Sequence, residues 1–171
     1  MPELSPSERL QPSLLDRLTD SEPGKPSESR AQRVLSIRAL REGVVRDLLW
    51  LLNTTKLAAC ADLSGYPDVE KSVVNFGIPD LTGITASSVD PVALARSVRE
   101  AVLTFEPRLN KSTVQVRATV AEDRMAHNTL VFEIEGELWA EPTPLRLLLR
   151  TELDLETGSV AVVDAGGPGT G

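Results

Sequence analysis

The chain has a single cysteine, Cys60, so no internal disulfide can form and nothing of that kind staples the fold. Cys60 stands among Ala58, Ala59 and Ala61, which suggests a small buried or half-buried position, with Lys56 as the only basic neighbour able to activate a thiol. Histidine is equally scarce. His127 lies in the polar stretch 122–128, so no His/Cys set has the spacing of a metal site and a Cys–His catalytic pair would join two isolated residues. Aromatic residues make up 4% of the chain, which leaves Leu, Val and Ala to fill the core. Positive charge is in deficit: the formal net charge of -7 argues against non-specific binding to nucleic acid or an anionic membrane. No stretch approaches the ~20 consecutive apolar residues of a membrane span. The first residues are polar and rich in proline, without the apolar centre of a signal peptide, so a cytoplasmic protein is expected. There is no phosphate-cradling glycine loop and no calcium-loop pattern, and no cofactor is expected.

What is present is an ordinary globular composition, 41% hydrophobic and 25% charged over 171 residues, enough for one self-sufficient core. Residues 1–30 read as a flexible leader. Within it Leu14, Leu15 and Leu18 fall at helical spacing after Pro12 and Ser13, and 21–30 is a linker of Ser, Glu, Pro, Gly and Lys. Such a tethered apolar helix either folds back on its own domain or docks on a neighbour. Residues 31–164 form a single domain, and 165–171 a loose glycine-rich tail.

In the domain, a helix is expected from about Leu40 to Thr54, with Val45, Leu48, Leu49 and Leu52 as its stripe and Trp50 and Leu51 widening the apolar surface. Ser64–Asp68 is a turn cluster, and Val73–Phe76 reads as a short strand. Asp90 is a natural N-cap and Pro91 suits the first helical position, so a second helix starts there, with Leu94, Val98, Val102 and Phe105 on one face. Strict alternation follows in 113–120, 129–139 and 145–155, and a turn at 156–159 leads into 160–163. The fold class is therefore α+β, with N-terminal helices packed on one face of an antiparallel β-meander and a short last strand at a sheet edge. Glu133, Glu135 and Glu137 share one strand face and would meet Arg146 and Arg150 across it.

Helices and strands meet at Phe105-Glu106-Pro107-Arg108. The proline disfavours helix at Glu106 and fixes its own φ, so the helix stops here. In extended chain beyond it, Glu106 and Arg108 would project to one side as a charge pair. On chemistry alone this is a helix-end ion pair or a partner-binding site, and Glu106→Ala is expected to leave the monomer folded.

Glu106-Pro107-Arg108 after an amphipathic helix resembles the signature of the contractile-tail baseplate wedge family, also called the GPW or lysozyme-like wedge family. Leu48–Thr54 and Ser72–Leu81 look like the segments that precede the signature there, and Ser13–Leu18 resembles the leader of the bacterial, type VI secretion (TssE) branch. The resemblance covers roughly residues 13–163, in order. It implies a structural subunit of a baseplate wedge that joins the wedge subunits TssF and TssG, with TssK as a further contact. It would also link them to contractile sheath proteins and help to start sheath assembly. It assigns partner binding to Glu106, Pro107 and Arg108, and an assembly role to the leader residues Leu14, Leu15, Arg17 and Leu18. The mechanism implied is assembly, with sheet-edge pairing to the sheath and no catalytic residue. An unpaired charge in such an interface costs about 2–5 kcal/mol. The alternative is a lysozyme-like hydrolase that cleaves peptidoglycan, which needs two carboxylates across a cleft, one of raised pKa. The cation beside Glu106 works against that.

Overall fold

The computed structural model describes residues 13–19, 37–83, 88–120, 129–138 and 144–164. The expected linker, the stretch holding His127 and the glycine-rich tail lie outside these residues. Among the described residues four α-helices come first: α1 (Leu14–Leu18), α2 (Ile37–Leu52), α3 (Pro67–Glu70) and α4 (Pro91–Phe105). Four strands follow: β1 (Gln115–Val120), β2 (Thr129–Leu138), β3 (Leu145–Asp154) and β4 (Val160–Asp164). The strands form one antiparallel sheet in sequence order, which is the expected meander.

The strands form where apolar and polar residues alternate, with Val131 of β2 as a buried exception. Along β2, Leu130, Phe132, Ile134 and Leu138 are buried; along β3, Leu147, Leu149 and Leu153 are. These side chains meet Val98 and Val102 of α4 and Leu48, Leu51 and Leu52 of α2 in one core. The opposite face carries charge. Glu133 stands opposite Arg150 and Glu137 opposite Arg146, while Arg146 pairs with Glu135. The glutamate row is thus the solvated face of a sheet. The turn after β3 is set by Asp154, whose Oδ1 accepts from Glu156 N at 2.8 Å and Thr157 N at 3.3 Å.

Helix α4 begins as its sequence requires. The Asp90 carboxylate accepts from the N–H groups of Val92 and Ala93, and Pro91 follows it. Helix α2 differs in which face it buries. Leu40, Val44, Leu48, Leu51 and Leu52 enter the core, whereas Val45 and Leu49 are half-buried and Trp50 is exposed. The apolar arc of this helix is wider than one face, so periodicity alone leaves its rotation undetermined.

Three further expectations change. Val73–Asn75 is a 3-10 turn instead of a strand. Ser72 Oγ accepts from Val74 N, and the buried Asn75 side chain accepts from Ala58 N at 2.9 Å and donates to the Glu70 carbonyl at 2.8 Å. These side chains compete with a strand ladder for the backbone and outweigh the β preference of the two valines. Cys60 is exposed, because the alanine-rich stretch Leu57–Ala59 forms a surface 3-10 turn with no buried residue. The chain beyond Pro107 turns back sharply and does not run extended, as described below.

The edge strand β4 is tied to α2 by one side chain. Asn53 Oδ1 accepts from Val160 N at 2.9 Å, and Asn53 Nδ2 donates to the Val160 carbonyl at 3.0 Å and the Leu49 carbonyl at 2.9 Å. Asn53→Ala removes these bonds and is expected to destabilise the fold by about 1–2 kcal/mol. Faster amide exchange at Val160 checks this; unchanged protection there contradicts it.

Candidate functional site

The corner after α4 is built by Glu106. Its N–H completes the helix to the Val102 carbonyl at 2.9 Å, and its own carbonyl accepts from Leu109 N at 3.3 Å. That bond closes a β-turn with Pro107 at its second position, where the fixed φ of proline is favoured. The turn still brings the two charges together, because the Glu106 carboxylate folds over it. Oε1 accepts from Arg108 N at 3.0 Å and from Arg108 Nε at 2.7 Å, and Oε2 accepts from Arg108 Nη2 at 2.5 Å. Glu106 is 3% exposed, Pro107 is on the surface and Arg108 is half-buried.

A third residue completes the corner. Arg108 Nη2 also donates to Asp47 Oδ2 at 2.5 Å, across a sequence separation of 61. Asp47 Oδ1 in turn accepts from Arg46 Nε at 2.9 Å, and Arg46 Nη1 donates to Asp16 Oδ1 at 2.6 Å. The guanidinium of Arg46 lies 5.2 Å from the centre of the Trp50 ring. Five charges thus form one chain, Asp16–Arg46–Asp47–Arg108–Glu106, with three carboxylates and two guanidiniums.

Electrostatics follow the geometry. Burial works against the Arg108 charge, but the hydrogen bonds and charge of Glu106, then of Asp47, outweigh it and hold its pKa above the ordinary arginine value. Asp16 is likewise penalised by burial, yet Ser13 and Arg46 bring its pKa below the usual aspartate range. The hydrogen bond to Asp16 is the main cause of the raised pKa of Arg46.

The structure brings the leader to the same place. Ser13 caps α1, with its Oγ accepting from Asp16 N at 3.3 Å and donating to Asp16 Oδ2 at 2.7 Å. The leader contacts its own domain through Asp16, while Leu14 and Leu18 are 71% and 74% exposed. Leu15 lines a groove of about 290 Å³ with Trp50, Phe76, Phe105 and the charged corner. Phe76 and Phe105 meet edge to face there, 5.2 Å apart, and Phe105 anchors the end of α4. The Arg17 side chain lies outside the described residues.

Sequence reasoning placed Glu106 and Arg108 together. It did not reach Asp47, Arg46 or Asp16. The available signals were the two charges at the border of the α2 apolar arc and the one acid set among the leader leucines.

Among the described residues, no group of three His, Cys, Asp or Glu side chains is placed to hold a metal ion, and no helix is long and apolar enough to cross a membrane. A search of the curated proteins and a search of the solved structures each find no match. The sequence does match the family described as baseplate wedge protein gp25, over residues 38–143. The matched span runs from α2 past β2 and contains Asp47, Glu106, Pro107 and Arg108, and α1 lies before it. It takes in more than half of the chain, and this protein belongs to the gp25-type baseplate wedge family.

Proposed function

We propose that the chain is a structural subunit of a type VI secretion baseplate wedge, acting in the cytoplasm by assembly and without catalysis. Its partners in this reading are the wedge subunits TssF and TssG, with TssK as a further contact, and the contractile sheath. The observation that carries it is the Glu106-Pro107-Arg108 corner. A buried glutamate and Asp47 hold the half-buried Arg108 in one orientation, beside the exposed Pro107. A guanidinium fixed in this way loses little side-chain freedom on binding, which favours a defined register with a partner. Family membership supports the baseplate role. The leader residues Leu14, Leu15 and Leu18 add an apolar contact in this reading, and Arg17 a charged one.

The link to the sheath is strand addition at a sheet edge. The two edges are β1 and β4. Asn53 occupies the backbone groups of Val160, the first residue of β4, which leaves β1 as the longer edge to extend. The hydrolase alternative finds less support, since Glu106 is buried and all the bonds that its carboxylate accepts come from Arg108.

Co-purification tests the proposal. The chain is expected to bind a TssF–TssG complex and to recruit sheath protein, while releasing nothing from peptidoglycan. Failure to bind combined with peptidoglycan cleavage would reverse the assignment.

A further inference from the structure

The link between the leader and the charged corner has one ion pair, Asp16 with Arg46, beside the groove that Leu15 lines. Helix α1 has five residues, and a helix of that length does not persist in water unless something holds it. Of its leucines only Leu15 faces the domain, at the groove with Trp50, Phe76 and Phe105, while Leu14 and Leu18 are exposed. The polar hold is the Asp16 carboxylate on Arg46 Nη1. It sits over Gly43, where a β-carbon would lie 3.4 Å from Asp16 Oδ2 and 3.7 Å from Arg108 Nη1. Both are ordinary van der Waals distances, so Gly43 marks where the Asp16 carboxylate and the Arg108 guanidinium lie on α2. Arg46 has partners within α2 as well, in Asp47 and the Trp50 ring.

We propose that Arg46, above Gly43, is a receptor for a carboxylate on an assembly partner, and that α1 is a clasp whose Asp16 fills this receptor in the free subunit. The occupant is an acidic helical segment, because the present occupant is a carboxylate in the first turn of a capped helix. Charge supports the exchange. With Asp16 withdrawn, the cluster has two guanidiniums and two carboxylates, and Arg46 Nη1 loses the carboxylate to which it donates. Residues 20–36 connect the clasp to α2, so a displaced α1 stays near the corner, with Leu14, Leu15 and Leu18 available to the same partner. Asp16 lies outside the span that matches the wedge family, whereas Arg46 lies inside it. The inference rests on the assembly reading only for the identity of the natural occupant.

The test uses the full chain and its Asp16→Asn and Arg46→Ala variants. Amide exchange over residues 13–19 should rise at least five-fold in both variants, with α2 and α4 unchanged. Equal protection in all three chains overturns the clasp. A peptide copying residues 11–20 is then titrated against each chain while the Trp50 indole signal is followed by NMR. It should act on Asp16→Asn at concentrations at least three-fold lower than on the wild type, and not on Arg46→Ala. A peptide with Asn in place of its aspartate at position 16 should have no effect. The same response to both peptides overturns the receptor. Finally, Asp16→Asn should bind TssF–TssG faster than the wild type; slower binding makes Asp16 itself a partner contact and overturns the exchange. If TssF–TssG binds no form of the chain, the wedge assignment fails, while the exchange and peptide measurements still decide the clasp.

Discussion

Glu106→Ala is expected to cost about 2–3 kcal/mol of stability and to leave a folded but weakened protein. The carboxylate accepts three hydrogen bonds, all from Arg108, and its removal leaves a half-buried guanidinium with Asp47 as its remaining partner in the corner. Breaking a fully buried pair costs about 3–5 kcal/mol. The Arg108 side chain is 23% exposed, so water recovers part of this, and the lower figure follows. For a chain of this size the change corresponds to a fall in Tm of roughly 4–12 °C. It remains below the ~5–15 kcal/mol that holds typical domains together, so the variant folds. Thermal melting measures it directly; a Tm within 1 °C of wild type would show that the carboxylate does not organise the corner. The glutamate therefore serves the fold, and in the proposed reading it serves a partner through Arg108. Loss of binding in Glu106→Ala alone would not separate the two roles.

A larger loss, about 3 kcal/mol or more, is expected for Gly77→Ala. Gly77 has φ 131°, a region that L-residues rarely enter. A β-carbon there would overlap the Thr54 carbonyl oxygen and lie 2.7 Å from Lys56 N. Those atoms belong to the short parallel bridge that joins the end of α2 to Ile78, in which Ile78 N donates to Thr54 O and Lys56 N to Ile78 O, each at 2.9 Å. The bridge must open or the helix end must shift. Gly83→Ala is the control. Gly83 also has positive φ, at 74°, but nothing lies within 4 Å of its β-carbon position, so only the conformational cost of about 1 kcal/mol applies. Chemical denaturation of both variants separates close approach from backbone strain. Equal losses would mean that the contact with Thr54 relaxes freely.

Much of this architecture is legible in the sequence because the deciding interactions are local. Asp90 and Pro91 start α4, Pro107 ends it, and alternation over 145–155 marks β3 and the face it buries. What escapes the sequence depends on distant partners. Helix α2 carries apolar residues on more than one face, and only the packed sheet and α4 select Val44 and Leu51 for the core. Val73 and Val74 suggest a strand, but Asn75 ties the segment to Ala58 and Glu70 and makes it a turn. The candidate site divides along the same line. Glu106 and Arg108 are two residues apart and visible as a pair, whereas Asp47 and Asp16 reach the corner only through the fold.

The most direct test is the affinity of the folded chain for TssF–TssG, wild type against Arg108→Lys, with circular dichroism confirming both folds. Lysine keeps the charge of Arg108 but cannot present the planar fork that spans Glu106 and Asp47. If the corner is the wedge contact, Arg108→Lys binds at least ten-fold more weakly at nearly unchanged secondary structure. Equal affinity in the two folded proteins would place the assembly surface elsewhere on the chain.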